Sequence, residues 1–220
     1  MLLNMLDGGD TRSYIMSLLL SLPIILIALS VHETAHGYVA YKLGDPTARN
    51  LGRLTLNPLK HLDPIGFLCM LLAGFGWANP VPINSRNFKK PRRDMALSAA
   101  AGPISNLLLA VIFTALYRVF WEILPYISIS AELFLVIQEF FLLGILLNIS
   151  LAVFNLLPIP PLDGSRMLYV FLPPKYYFGV MKYERYISIG IMLLLVLGFL
   201  DGPISFVRNG IAELLLNIFF

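Results

Sequence analysis

From Ile15 to Val31 the chain is apolar with few interruptions, and at the far end of this run the pattern turns polar at His32-Glu33-Thr34-Ala35-His36. Its 17 residues, at 1.5 Å rise, cover about 25 Å of a roughly 30 Å hydrocarbon core, so the run predicts a membrane helix whose polar end lies near one face but below the surface. That helix extends over residues 12–43 and is stopped at Gly44-Asp45-Pro46 by a glycine C-cap followed by proline. Between the polar loops at 45–63 and 78–94, Ile65–Leu72 is apolar but too short to span, which predicts a re-entrant or interfacial segment. Val81-Pro82-Ile83-Asn84 predicts a short extended strand, confined to an edge by its prolines.

A second span runs from Met95 to about Phe120 and opens with the small residues Ala96, Ser98, Ala99, Ala100, Ala101 and Gly102, which let another helix approach closely. The helix bearing the histidines is the natural partner. A third span covers about 132–156 and ends before Pro158, Pro160 and Pro161; a fourth covers Ile187–Leu200. Ile204–Phe220, with Arg208 and Glu213, either spans or lies in the interface. The whole pattern predicts an all-α polytopic membrane protein: a bundle of about four to six membrane helices with a re-entrant segment and a small β element near the cytoplasmic face. No repeat or composition shift divides it, so residues 1–220 read as one domain.

Composition sharpens this picture. With 58% hydrophobic and 13% charged residues, the chain has more apolar material than a water-soluble core requires. The first ten residues carry Asp7 and Asp10 but no Lys or Arg, so the basic start of a cleavable signal peptide is missing and the first apolar run is expected to be retained. The single Cys69 excludes an intrachain disulfide. A net charge of +3 without a basic run interleaved with aromatics sets nucleic-acid binding aside. Of 16 Lys and Arg, all but Arg12, Arg118 and Arg208 fall at 42–60, 86–93 and 166–185. The predicted spans put those three stretches on one side, which the positive-inside bias makes cytoplasmic, and the histidine pair then lies toward that leaflet.

Two histidines four positions apart on a helix project from nearly one face and can share one Zn²⁺, with Glu33 beside them to take a proton from water activated by the metal. A catalytic zinc needs a third protein ligand. His61 lies in the polar loop beside Asp63, and Glu139 lies within the third span with nothing near it to disrupt the helix. Asp163 differs. It follows Asn155-Leu-Leu-Pro158-Ile-Pro160-Pro161, where prolines force the backbone to unwind. Irregular backbone at membrane depth is tolerated where it lines a polar cavity. This stretch would present Asp163 on a fixed, non-helical segment, with Gly164 permitting a close turn.

HETAH at 32–36, AGPISN at 101–106 and NLLPIPPLDG at 155–164 together resemble the three signature segments of the site-2 proteases, intramembrane zinc metalloproteases. LGDPTARNLGRLTLNP at 43–58, ANPVPINSRNF at 78–88 and RRDMALSAAAGP at 92–103 resemble the compact prokaryotic branch, with no insertion between the motifs large enough for a PDZ domain and no C-terminal CBS pair expected. The resemblance implies that His32, His36 and Asp163 bind one zinc ion per chain. It makes Glu33 the general base and acid, and puts Asn155 near the scissile carbonyl as an oxyanion or substrate contact. Asn106 matches a family position for which helix packing is one role. The implied substrates are transmembrane segments of other proteins in a prokaryotic cell membrane. The extended segment Val81–Asn84 either adds substrate as a strand or is a structural hairpin. No feature of the sequence sets an oligomeric state. Two other classes share some of this signature. A membrane metal-binding or transport protein would carry polar ligands along a path across the bilayer, and a nonproteolytic scaffold with structural zinc would have no need of Glu33.

Overall fold

The computed structural model describes residues 11–73 and 76–220. The elements in chain order are α1 (Thr11–Lys42), α2 (Thr47–Asn50), α3 (Pro64–Ala73), α4 (Pro91–Ile123), α5 (Ala131–Asn155), α6 (Asp163–Met167), α7 (Pro174–Met181), α8 (Glu184–Val196) and α9 (Asp201–Phe219). Among the described residues, three helical stretches are long and apolar enough to cross a membrane: Ile15–Lys42, Pro91–Tyr126 and Ala131–Asn155. Their outward faces carry exposed Leu19, Ile27, Leu108, Ile112, Leu116 and Leu135, as contact with lipid requires.

Helices α1, α4, α5 and α9 meet in a core of Ile24, Ala110, Phe113, Tyr117, Ile145, Ile149 and Ala212. Lipid tails are as apolar as leucine, so close fit holds such helices together rather than escape from water. Two glycines make the fit possible. A Cβ at Gly144 on α5 would stand 2.3 Å from the Phe113 ring on α4, and one at Gly102 on α4 would stand 2.4 Å from His36 Nε2 on α1. The small-residue opening of the second span thus seats the His helix, as expected.

Three expectations change. Residues 81–84 form no ladder; the β pairing among the described residues is a single bridge between Leu62 and Ala78. The prolines remove donors, and the N–H groups of Val81 and Asn84 bond instead to the carboxylates of Glu33 and Asp45. Asp163 is the first residue of the short helix α6 rather than part of an irregular stretch, which ends one residue earlier. The fourth apolar segment is interrupted: α8 stops at Val196 and the chain turns through Gly198, whose φ of 75° belongs to the left-handed region that glycine tolerates.

A buried carboxylate ties the end of α1 to the segment that crosses toward α4. Asp45 is fully buried and accepts hydrogen bonds from Thr47 N–H at 3.1 Å, Asn87 Nδ2 at 2.7 Å and Asn84 N–H at 2.7 Å. Burial opposes its ionisation, but these donors and the Thr47 hydroxyl outweigh burial and hold its carboxyl below the usual carboxylate value. Because the folded value is depressed, the stabilisation is fully present above the unfolded value of about 3.9 and is lost as pH falls toward the folded one. Asp45→Asn is therefore expected to lower stability at neutral pH by about 1–3 kcal/mol. It should also flatten the decline of the thermal unfolding midpoint below about pH 4. A variant with the wild-type midpoint and acid slope would refute this role.

Candidate metal centre

Residues 131 positions apart converge at the polar end of α1. His32 Nε2 and His36 Nε2 are 3.0 Å apart, and each lies 3.1 Å from Asp163 Oδ2. Helical periodicity brings the histidines together. The proline-rich turn after α5 brings the carboxylate, and Gly164 allows that turn to close, since a Cβ there would stand 2.3 Å from Leu156 O.

The far side of each imidazole is fixed as well. His32 Nδ1 lies 2.9 Å from Asn106 Oδ1, and His36 Nδ1 lies 2.7 Å from Ser98 O. Ser98 Oγ in turn donates to His36 O at 3.0 Å. With acceptors facing both Nδ1 atoms, each neutral ring carries its proton there and turns an Nε2 lone pair toward the carboxylate.

The donor set fits zinc. A tetrahedral ion with bonds of about 2.0–2.2 Å spaces its ligand atoms about 3.3–3.5 Å apart. The triangle here, with edges of 3.0 to 3.1 Å, is that spacing less a few tenths of an ångström. One shared proton would satisfy a single edge of it; a dication satisfies all three.

Glu33 and Asn155 line the same cavity of about 240 Å³ as the triad. Glu33 Oε2 accepts the Val81 N–H at 2.8 Å, so the carboxylate is tied to the strap that walls the cavity. The strap is itself braced: Asn79 N–H donates to His61 O at 2.7 Å, and Arg53 Nη2 donates to Asn79 O at 2.6 Å. Asn155 Nδ2 donates to Leu151 O at 2.9 Å, which leaves one amide proton unassigned. His61 stands outside the triad, with Nε2 2.7 Å from Thr55 O. Thr34 Oγ1 donates to the same carbonyl at 2.7 Å, so the loop histidine braces the His helix. Glu139 accepts from Ser17 and also lies elsewhere.

Sequence reasoning did not single out Ser98, or Arg166 on the cavity wall, and it considered helix packing for Asn106, whose buried side chain meets His32 where α4 packs on α1. The signal for Ser98 and Gly102 was their place in the small-residue run. That run showed where helices approach, not which atoms meet.

The peptidase family M50 model matches residues 20–199. "Putative zinc metalloprotease YwhC" of Bacillus subtilis is 46% identical over 79% of this chain and 77% of its own length. "Putative zinc metalloprotease Rip2" of Mycolicibacterium smegmatis is 33% identical over 74% of this chain. Rip2 of Mycobacterium tuberculosis is 27% identical over 80% of this chain. The chain spans 61% and 66% of these two mycobacterial relatives, less than two thirds of either. No solved structure matches. The site-2 protease signature segments, the convergence of their histidines and carboxylate, and the match across most of the sequence agree, and the chain belongs to peptidase family M50, the site-2 protease family.

Proposed function

We propose that residues 1–220 form one intramembrane metalloprotease domain in which His32, His36 and Asp163 hold a single Zn²⁺ and Glu33 is the general base. Its substrates are transmembrane proteins, cut within or near their membrane segments. The observation that carries this reading is the triangle of two Nε2 atoms and one carboxylate oxygen, with both Nδ1 protons directed elsewhere. When bound, zinc supplies Lewis acidity and makes water a nucleophile at neutral pH. The residues do the rest. Glu33, aligned by the Val81 N–H, receives a proton from the attacking water and returns it to the leaving amine. Asn155 offers its unassigned amide proton to the carbonyl oxygen of the scissile bond. The strap beside the cavity, with Val81 and Ile83 in its lining, is the surface along which an unwound substrate lies. Purified protein in liposomes is expected to cleave a single-span substrate, to stop when a chelator removes zinc, and to resume when zinc is restored. Cleavage that persists in metal-free protein would overturn the assignment.

The active site faces the cytoplasm in this proposal. Helix α3, of ten residues, is about 15 Å long, half of a hydrocarbon core. The Leu62–Ala78 bridge joins the two ends of its excursion, which supports a re-entrant path with the basic stretches at 42–60 and 86–93 on one side. Single cysteines at the exposed Lys89 and Lys175, in a Cys69→Ala background, are expected to resist an impermeant thiol reagent on intact cells and to react after permeabilisation. Labelling of the Lys89→Cys protein from outside would make α3 a crossing segment.

A further inference from the structure

A second cavity, of about 270 Å³, adjoins the one that holds the triad, and the two share Leu29, Gly76, Trp77, Leu151 and Phe154 as a common wall. Beyond that wall the second cavity is lined by Ile25, Phe67 and Leu147, with Ser150 as its one hydroxyl. It extends deeper along the bundle. Ile25 lies seven residues before His32 and Leu147 eight before Asn155, about 10 and 12 Å along α1 and α5. Gly66 fixes its edge, because a Cβ there would stand 2.2 Å from Trp77 O, so α3 and Trp77 are packed as closely as backbone allows. Trp77 itself is 46% exposed, so a group entering beside it has apolar surface to cover.

We infer that this chamber is a specificity pocket that receives one bulky apolar side chain, such as leucine or phenylalanine, from the substrate residue next to the cleaved bond. The inference rests on the protease reading and adds the side chain that the site selects. An unwound membrane segment whose carbonyl lies at the triad has its neighbouring residues within a few ångströms, and those residues are apolar by origin. The chamber is where such a side chain stays out of water while the peptide group beside it enters a polar cavity. A charged side chain there would lose its hydration without a partner, since the wall presents a single hydroxyl. Discrimination of about 10–200-fold is the range that apolar pockets achieve.

The test uses the one other tryptophan, Trp121, replaced by Phe so that Trp77 alone fluoresces. Single-span substrates carrying bromophenylalanine at successive positions are bound to the zinc-loaded Glu33→Gln, Trp121→Phe protein, and quenching of Trp77 is read. Quenching is expected to peak at one register, within two residues of the bond that the Trp121→Phe enzyme cuts. Ser150→Phe fills the chamber; it should abolish the peak and lower at least tenfold the ratio of kcat/KM for leucine or phenylalanine at that position to kcat/KM for alanine there. Leu147→Ala enlarges the chamber and should shift preference toward larger side chains. Zinc content at the wild-type level in both variants reports an intact site. A flat quenching profile overturns the inference, as does quenching by brominated acyl chains that substrate does not relieve, or equal kcat/KM across side chains. A substrate that quenches Trp77 at one register but is never cut overturns the protease reading and leaves the pocket. Cleavage indifferent to side chain does the reverse.

Discussion

Glu33→Gln protein is expected to retain zinc at the wild-type level and to lose at least two orders of magnitude in peptide hydrolysis, the scale of a general base. The substitution keeps the shape of the side chain. Glu33 is absent from the His32, His36 and Asp163 cluster, so none of the proposed ligands is touched. Gln also retains an oxygen that can accept the Val81 N–H, now held at 2.8 Å, so the strap keeps its anchor. What disappears is the capacity to take a proton from water. Zinc analysis and cleavage of a single-span substrate, measured on the same preparation, separate the two effects. Wild-type cleavage by the variant would remove the mechanism, and loss of zinc would make Glu33 a structural part of the metal site.

The second large effect is expected at Asp163. Asp163→Ala leaves two Nε2 atoms 3.0 Å apart with no anion to complete the set, and zinc and activity should be lost together. His61→Ala is the contrasting variant. Its ring bonds to Thr55 O outside the cluster, so zinc content should be unchanged, and a modest loss of stability should follow from freeing the loop that Thr34 and His61 pin together. Full zinc occupancy in Asp163→Ala, with loss in His61→Ala, would reverse the ligand assignment.

Local chemistry made the three apolar spans legible, because hydrophobic run length and terminating residues fix where such helices start and stop. The first ends where Gly44-Asp45-Pro46 says it must, with Gly44 at φ 110°. The His pair was legible for the same reason, being four residues apart on one helix. Contacts between distant segments were not. Asn106 lies 74 residues from the imidazole it orients, and nothing near either residue announces the meeting. The stretch at 81–84 was expected as an edge strand, and it forms no ladder. β-propensity and proline placement are blind to the two carboxylates, Glu33 and Asp45, that take its N–H groups. The short helix at Asp163 was missed because proline statistics predict the break and not the point at which helix resumes.

The separation of the metal-binding groups along the chain sets a schedule for biogenesis. Synthesis delivers the histidines first and the carboxylate, 131 residues later, only after α4 and α5 have been made. With the ligands proposed above, a nascent chain still being threaded into the membrane carries two histidines and no complete metal site. Zinc is then acquired as a late step of assembly, once α5 has packed and the proline turn has closed. Until that moment the half-made protein is inert toward the unfolded membrane segments that surround it at the translocation site.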